Sequence, residues 1–167
     1  NLEINGSLTV DGGNFYGAIS SSTDVATIDY GDGTTLLSSV GEFSGEIIKS
    51  GNDTVVAGDL YYLKSDGVWT LANATVDHAN SAMSSSLLAV AVGTNSTTNG
   101  MLVRGIIQVN GITDTEVVGQ RVFVGEANGD FTTTQPSTTG DTVRLVGYTL
   151  GTSKIYFNPD NTWVEIA

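Results

Sequence analysis

The sequence predicts an all-β protein, and three observations carry that expectation. Glycine supplies 21 of the 167 residues and proline 2, while Lys, Glu, Arg and Gln, the usual cover of helix surfaces, are scarce. Charged residues make up 14% of the chain, about half the usual share, so hydroxyls and amides on strand faces and in turns must meet the water. Apolar and polar residues alternate over short runs punctuated by Gly, Asn and Asp, at the spacing of a sandwich or barrel. The expected architecture is a set of extended, shaft-like or arm-like N-terminal strands over residues 1–48, then an antiparallel barrel or sandwich over residues 49–167. A trimer is the expected assembly.

Taken in order, Leu2, Ile4, Leu8 and Val10 share one parity and Glu3, Asn5, Ser7 and Thr9 the other, the period-two pattern of a half-buried strand. Asp11-Gly12-Gly13 breaks it, and Gly31-Asp32-Gly33 marks a second turn. Residues 1–48 hold seven acids, eight glycines and no Lys or Arg. So few large apolar side chains cannot bury both faces, and the segment is expected to pair with symmetry copies as an oligomerising arm. From Lys49 the texture changes. Leu60 to Leu63 and Val68 to Leu71 flank Ser65-Asp66-Gly67, an Asp-Gly hairpin signal. Residues 73–86 are small and polar, and Leu87 to Val92 reads as a short buried strand. Met101 to Val109, Val122 to Val124, Phe131 to Thr134, Val143 to Leu150, Ile155 to Phe157 and Trp163 to Ile166 follow as further strands. Leu60, Tyr62, Trp69, Leu88, Val90, Val103, Val122, Val124, Val146 and Tyr148 are the expected core.

An internal echo runs through this part. Val56-Ala-Gly-Asp-Leu-Tyr-Tyr-Leu with Ser65-Asp-Gly-Val-Trp-Thr returns as Val118-Gly-Gln-Arg-Val-Phe-Val with Ala127-Asn-Gly-Asp-Phe-Thr, and each hairpin is followed by a strand closing in Gly-Thr, at Gly93 and Gly151. Two copies of one hairpin-plus-strand unit would give this, and so would two unrelated β-meanders.

The composition excludes several functions. The chain has no cysteine, which removes disulfide scaffolds, zinc ribbons, iron–sulfur sites and thiol catalysis. A net charge of −12 opposes binding to nucleic-acid phosphates and to anionic membrane surfaces. Apolar runs such as Leu87 to Val92 are too short to span a bilayer as a helix. The start at Asn1 is what a processed product or a piece of a longer chain would show.

The stretch Gly58-Asp-Leu-Tyr-Tyr-Leu-Lys-Ser-Asp-Gly-Val-Trp, the run Gly100-Met-Leu-Val-Arg-Gly and the ending Val146-Gly-Tyr to Ile155-Tyr-Phe-Asn-Pro-Asp-Asn-Thr-Trp-Val resemble the β-rich C-terminal module of tailed-bacteriophage virion proteins, of the tail-fibre or head-decoration type. The opening Asn1 to Gly12 resembles the short Gly-punctuated repeats of fibre shafts. The resemblance covers about two thirds of the chain. It implies a β-structured, often trimeric virion component with no catalytic residue to inherit.

Each candidate for chemistry has a plainer reading. His78, the single histidine, sits in a Ser/Ala/Asn stretch with no partner at catalytic or ligand spacing. No Gly-x-Ser-x-Gly elbow occurs. Asp29 and Asp32 could offer carboxylates to calcium, yet the loop lacks the alternating acids and closing Glu of an EF-hand, and turn chemistry accounts for it; no cofactor is expected. Trp69, Trp163, Tyr61, Tyr62, Tyr148 and Tyr156 suit either glycan stacking or core and interface filling, with Trp69, Tyr61, Tyr156 and Trp163 singled out. The function expected is therefore non-enzymatic: a virion surface structural protein, assembled in the host cytoplasm, contacting itself, capsid or tail proteins and a host surface glycan. A carbohydrate-binding adhesin is the alternative, and a polysaccharide-degrading tail-spike domain a weaker one.

Overall fold

In the computed structural model, residues 37–75, 86–114 and 116–167 are described. They form eleven strands and no helix: β1 (Phe43–Ile48), β2 (Leu60–Leu63), β3 (Trp69–Leu71), β4 (Leu88–Ala91), β5 (Met101–Gln108), β6 (Arg121–Val124), β7 (Phe131–Thr132), β8 (Thr142–Val143), β9 (Leu145–Gly151), β10 (Lys154–Phe157) and β11 (Val164–Glu165). Nine of them make one curled antiparallel half-barrel sheet in the order β3-β2-β4-β5-β10-β9-β6-β7, with β1 attached to β5; β8 and β11 form a small separate pair.

The branching happens at β5. Leu102 pairs with both Ile47 and Val90, and Ile107 with both Phe43 and Ile155. A residue has two edges, so β1 holds one edge of β5 along its length while β4 and β10 share the other. The chain thereby divides into two units of identical topology. The first is β1 to β5, in the order β3-β2-β4-β5-β1. The second is β5, β6, β7, β9 and β10, in the order β7-β6-β9-β10-β5.

Backbone detail supports the equivalence. Gly58 N donates to Ala91 O at 2.8 Å, and Ala91 N to Asp59 O at 3.1 Å; Gly119 N donates to Thr149 O at 2.8 Å, and Thr149 N to Gln120 O at 2.9 Å. Each glycine opens a hairpin strand at positive φ, +80° and +83°, a conformation that costs any residue with a Cβ. The registers then agree: Leu60 pairs with Val90 as Arg121 pairs with Tyr148, and Tyr61 with Ala89 as Val122 with Gly147. The echo in the sequence is a structural duplication about sixty residues apart.

The core lies inside the curl, where Leu60, Leu88, Val90 and Leu102 of the first unit meet Val122, Val146, Ile155 and Phe157 of the second. The two branches also touch through the backbone: Leu60 N donates to Gly129 O at 2.8 Å, Gly129 N to Ala72 O at 2.7 Å and Ala74 N to Gly125 O at 2.8 Å. A second, smaller cluster covers the outer face of the first unit, where Tyr61, Trp69, Ala89, Ala91 and Met101 pack beneath Val55.

Eight of the ten expected core residues are buried; Val103 and Tyr148 are not. Both misses have one cause. The register shifts between Val122 and Phe123, leaving Val146 as an extra residue opposite β6, and between Glu46 and Ile47, leaving Val103 extra opposite β1. A bulge inverts the alternation beyond it, so Val146 points inward and Tyr148 outward. Residues 43–48, expected in the arm, are hydrogen-bonded along β5 within the sheet. The expected shaft over residues 1–36 lies outside the described residues, as do Asp29, Asp32 and His78.

Candidate functional site

Each unit presents two faces, and their fates differ. Paired residues on adjacent antiparallel strands put their side chains on the same side of the sheet. In the first unit the row Ile47–Leu102–Val90–Leu60 faces the core, and in the second the equivalent row is Ile106–Tyr156–Tyr148–Arg121. That second row points away from the core. Arg121 is exposed, Tyr148 is 42% exposed, and Tyr156 and Ile106 are half-buried. The guanidinium of Arg121 sits 5.8 Å from the ring centroid of Phe123, two residues along the same face, within cation–π range. Leu150, on the same strand and parity as Tyr148, is 39% exposed. The result is an aromatic and aliphatic row headed by Arg121, with Arg104, Glu46 and Lys154 two residues along the same side on β5, β1 and β10.

The four aromatic residues singled out from the sequence are not brought together. Trp69 and Tyr61 are core, each 4% exposed. Trp69 Nε1 donates to Ser50 O at 3.1 Å and its backbone N to Asp53 Oδ2 at 3.1 Å. Tyr61 Oη accepts from Val56 N at 2.8 Å, and burial pushes its phenol above the ordinary tyrosine range. Both rings thus hold the crossing segment 50–56 against the first unit, and neither can reach a ligand. Tyr156 lies in the open row, and Trp163 is exposed on the C-terminal segment. Tyr148 was expected either in the core or as a stacking residue, and its pairing with Arg121 was not foreseen; an arginine opening an apolar strand and a glycine beside Tyr148 were the only local signals.

Asp53, Asp59, Asp114 and Asp130 are occupied by the scaffold. Asp53 and Asp114 occupy corresponding loops of the two units. Asp114 Oδ2 accepts from Thr132 Oγ1 at 2.7 Å and Thr134 N at 3.1 Å, and the Thr132 hydroxyl leads the interactions holding its pKa below the usual carboxylate range. Asp130 Oδ2 accepts from Thr113 Oγ1 at 2.5 Å, and Asp59 Oδ1 from Asn110 Nδ2 at 3.1 Å. Burial pushes Asp59 up, and the nearby Asp130 charge adds to this. A cleft of about 350 Å³ is lined by Asp114 and Asp130, both fastened in this way, and by Glu126. Arg144, 3% exposed, donates from Nε to Asp160 O at 2.9 Å and from Nη1 to Ser86 O at 2.8 Å, anchoring the C-terminal segment. Among the described residues no group of three or more His, Cys, Asp or Glu is placed to hold a metal ion.

No family model, curated protein or solved structure matches the chain.

Proposed function

We propose that the protein is a non-enzymatic structural component of a tailed-bacteriophage virion surface, a tail-fibre or head-decoration part, working by contact. The observation that carries this reading is the open Tyr156–Tyr148–Arg121 row, a face of the residue types that dominate protein contact surfaces. The stapled carboxylates support it, since each hydrogen-bonded acid serves a loop rather than a reacting atom. The sequence resemblance to phage virion modules agrees with it. On this reading the protein assembles in the host cytoplasm as a homotrimer, joins capsid or tail proteins, and adds multivalent contact with a host surface glycan, where copy number multiplies weak affinity.

The test is particle-based. Immunogold labelling or mass spectrometry of purified virions should find the protein at many copies per particle, and its deletion should give particles that fall apart or fail to adsorb. Its absence from purified particles would overturn the proposal. The alternative, a carbohydrate-binding module, draws on the same row, because tyrosine faces stack on sugar rings. Binding to a host polysaccharide by calorimetry, abolished by Tyr148→Ala, would favour it.

A further inference from the structure

We infer that Asn110-Gly111 is a site of spontaneous, backbone-assisted deamidation, a covalent modification that the fold permits at this Asn-Gly pair and blocks at two others. The inference is independent of the virion reading.

The chemistry uses the chain itself and water. The peptide nitrogen after an asparagine attacks the side-chain Cγ. The N–Cγ bond forms, the Cγ–Nδ2 bond breaks, and ammonia leaves with the proton that the peptide nitrogen gives up. Water then opens the cyclic imide at either carbonyl, giving aspartate or isoaspartate. Glycine hinders the attack least, because it has no Cβ. The nitrogen must also be free to turn toward Cγ, so a hydrogen bond that holds it, or packing that covers Cγ, blocks the step.

The sequence holds Asn5-Gly6, Asn99-Gly100, Asn110-Gly111 and Asn128-Gly129, and the last three are described. At Asn128 the nucleophile is held: Gly129 is buried and its N donates to Ala72 O at 2.7 Å, while Asn128 Oδ1 accepts from Asn73 Nδ2 at 2.9 Å. At Asn99 the side chain is held. Its Oδ1 accepts from Thr94 N and Asn95 N, both at 3.1 Å, and its Cγ lies where a Cβ on Gly93 would stand.

Asn110 differs on both counts. It is exposed, and among the described residues Gly111 N donates no hydrogen bond. A Cβ on Gly111 would meet nothing within 4 Å. The chain on either side is fixed, Asn110 N donating to Gly58 O at 3.2 Å and Thr113 N to Phe131 O at 2.8 Å. The Asn110 side chain is tied through Nδ2, the departing nitrogen, which donates to Asp59 Oδ1 at 3.1 Å. Its carbonyl oxygen carries no bond among the described residues.

The tie to Asp59 gives the modification its effect. Burial pushes Asp59 above the usual carboxylate range, the Asn110 amide opposes this, and the Asp130 charge adds to it. Deamidation turns that donor into a carboxylate. The groove lined by Gly58, Asp59, Asn110, Asn128 and Asp130 then gains a charge beside two acids, and the end of β5 loses its side-chain link to the start of β2. The change runs one way, so this corner records the age of the molecule.

The test ages the full chain in mildly alkaline buffer, then unfolds it and cuts it with trypsin, with an unaged sample as the zero. Cleavage after Arg104, Arg121 and Arg144 frees residues 105–121, whose single asparagine is Asn110, and residues 122–144, whose single asparagine is Asn128. Mass spectrometry should find hydroxyl replacing amide at least about tenfold faster in the first, since Asn128 reacts only after a local opening. Ageing in urea should bring the two rates together. Asn110→Asp, which supplies the product's charge, should melt below the parent at neutral pH. Equal rates in the folded chain overturn the inference, as does a difference that persists in urea, which the neighbouring sequence rather than the fold would cause. An Asn110→Asp variant that melts with the parent overturns the loosened link.

Discussion

The two units share strand order, hairpin-opening glycines and ladder register, yet among the described residues the first is covered on both faces and the second on one. Their turns diverge in the same way. Gly67, at the tip of the first hairpin, has nothing within 4 Å of where a Cβ would sit, whereas a Cβ on Gly129 would meet Leu71 at 2.8 Å and Asp59 at 3.1 Å. Their connections diverge too: residues 92–100 link β4 to β5, while Thr152 and Ser153, at φ +57° and +54°, link β9 to β10, as in a two-residue hairpin turn. Topology in this unit is set by the backbone, through bulges and positive-φ turns. Which face is buried is set separately, by whether a row reads Leu-Val-Leu or Arg-Tyr-Tyr. A duplicated fold can therefore keep its frame while one copy turns a core face into an exposed one.

The largest expected effect lies under the roof that only the first unit has. Trp69→Ala should cost about 3–5 kcal/mol in urea unfolding, because Trp69 fills the second cluster and anchors the crossing segment. A loss below about 1 kcal/mol would mean the roof does not depend on it. Next come the equivalent positions Leu60 and Arg121. Leu60→Ala should cost about 2–5 kcal/mol, and Arg121→Ala should stay within about 0.5 kcal/mol. Similar losses at the two sites would break the contrast between the faces.

The glycine pair sharpens the comparison of turns. Gly67→Ala, at φ +84° in open space, should cost about 1–2 kcal/mol. Gly129→Ala, at φ +79°, should cost more, because its Cβ also displaces Leu71. The smallest effect is in acid. The folded pKa of Asp114 is depressed, so its contribution is complete above the unfolded aspartate value of about 3.9 and is lost as pH falls through the folded one. Asp114→Asn should therefore lower the melting temperature modestly at pH 7 and flatten its decline below about pH 4, so that variant and parent converge in acid. An unchanged acid limb would remove that staple from the account of the second unit.

Much of this frame was legible beforehand, and the reason is local. Asp66-Gly67 and Asn128-Gly129 announce their hairpins within a few residues, and Leu60-Tyr61-Tyr62 is an unbroken apolar run, buried throughout. Pairing of Phe43 to Ile48 with β5 was not legible. The partners stand about sixty residues apart, and three scattered apolar residues say nothing about which strand will accept them. The exposed tyrosine–arginine row was hidden for a related reason. Tyr148 shares parity with Val146 in the sequence, and only the bulge, whose existence depends on β6, sends the two to opposite sides. Arg121 and Tyr156 become neighbours of Tyr148 only once three strands are laid side by side.

The strand held in common, β5, sets an arithmetic. It ends one unit and begins the next, so two units need nine strands instead of ten, and each further unit added this way would cost the chain four. The saving has a mechanical side. A nick or a pull that frees β5 removes a wall from both halves at once, and neither half retains a complete set of strands to refold around. The nine strands should melt in a single step, with no surviving half to be caught by a protease.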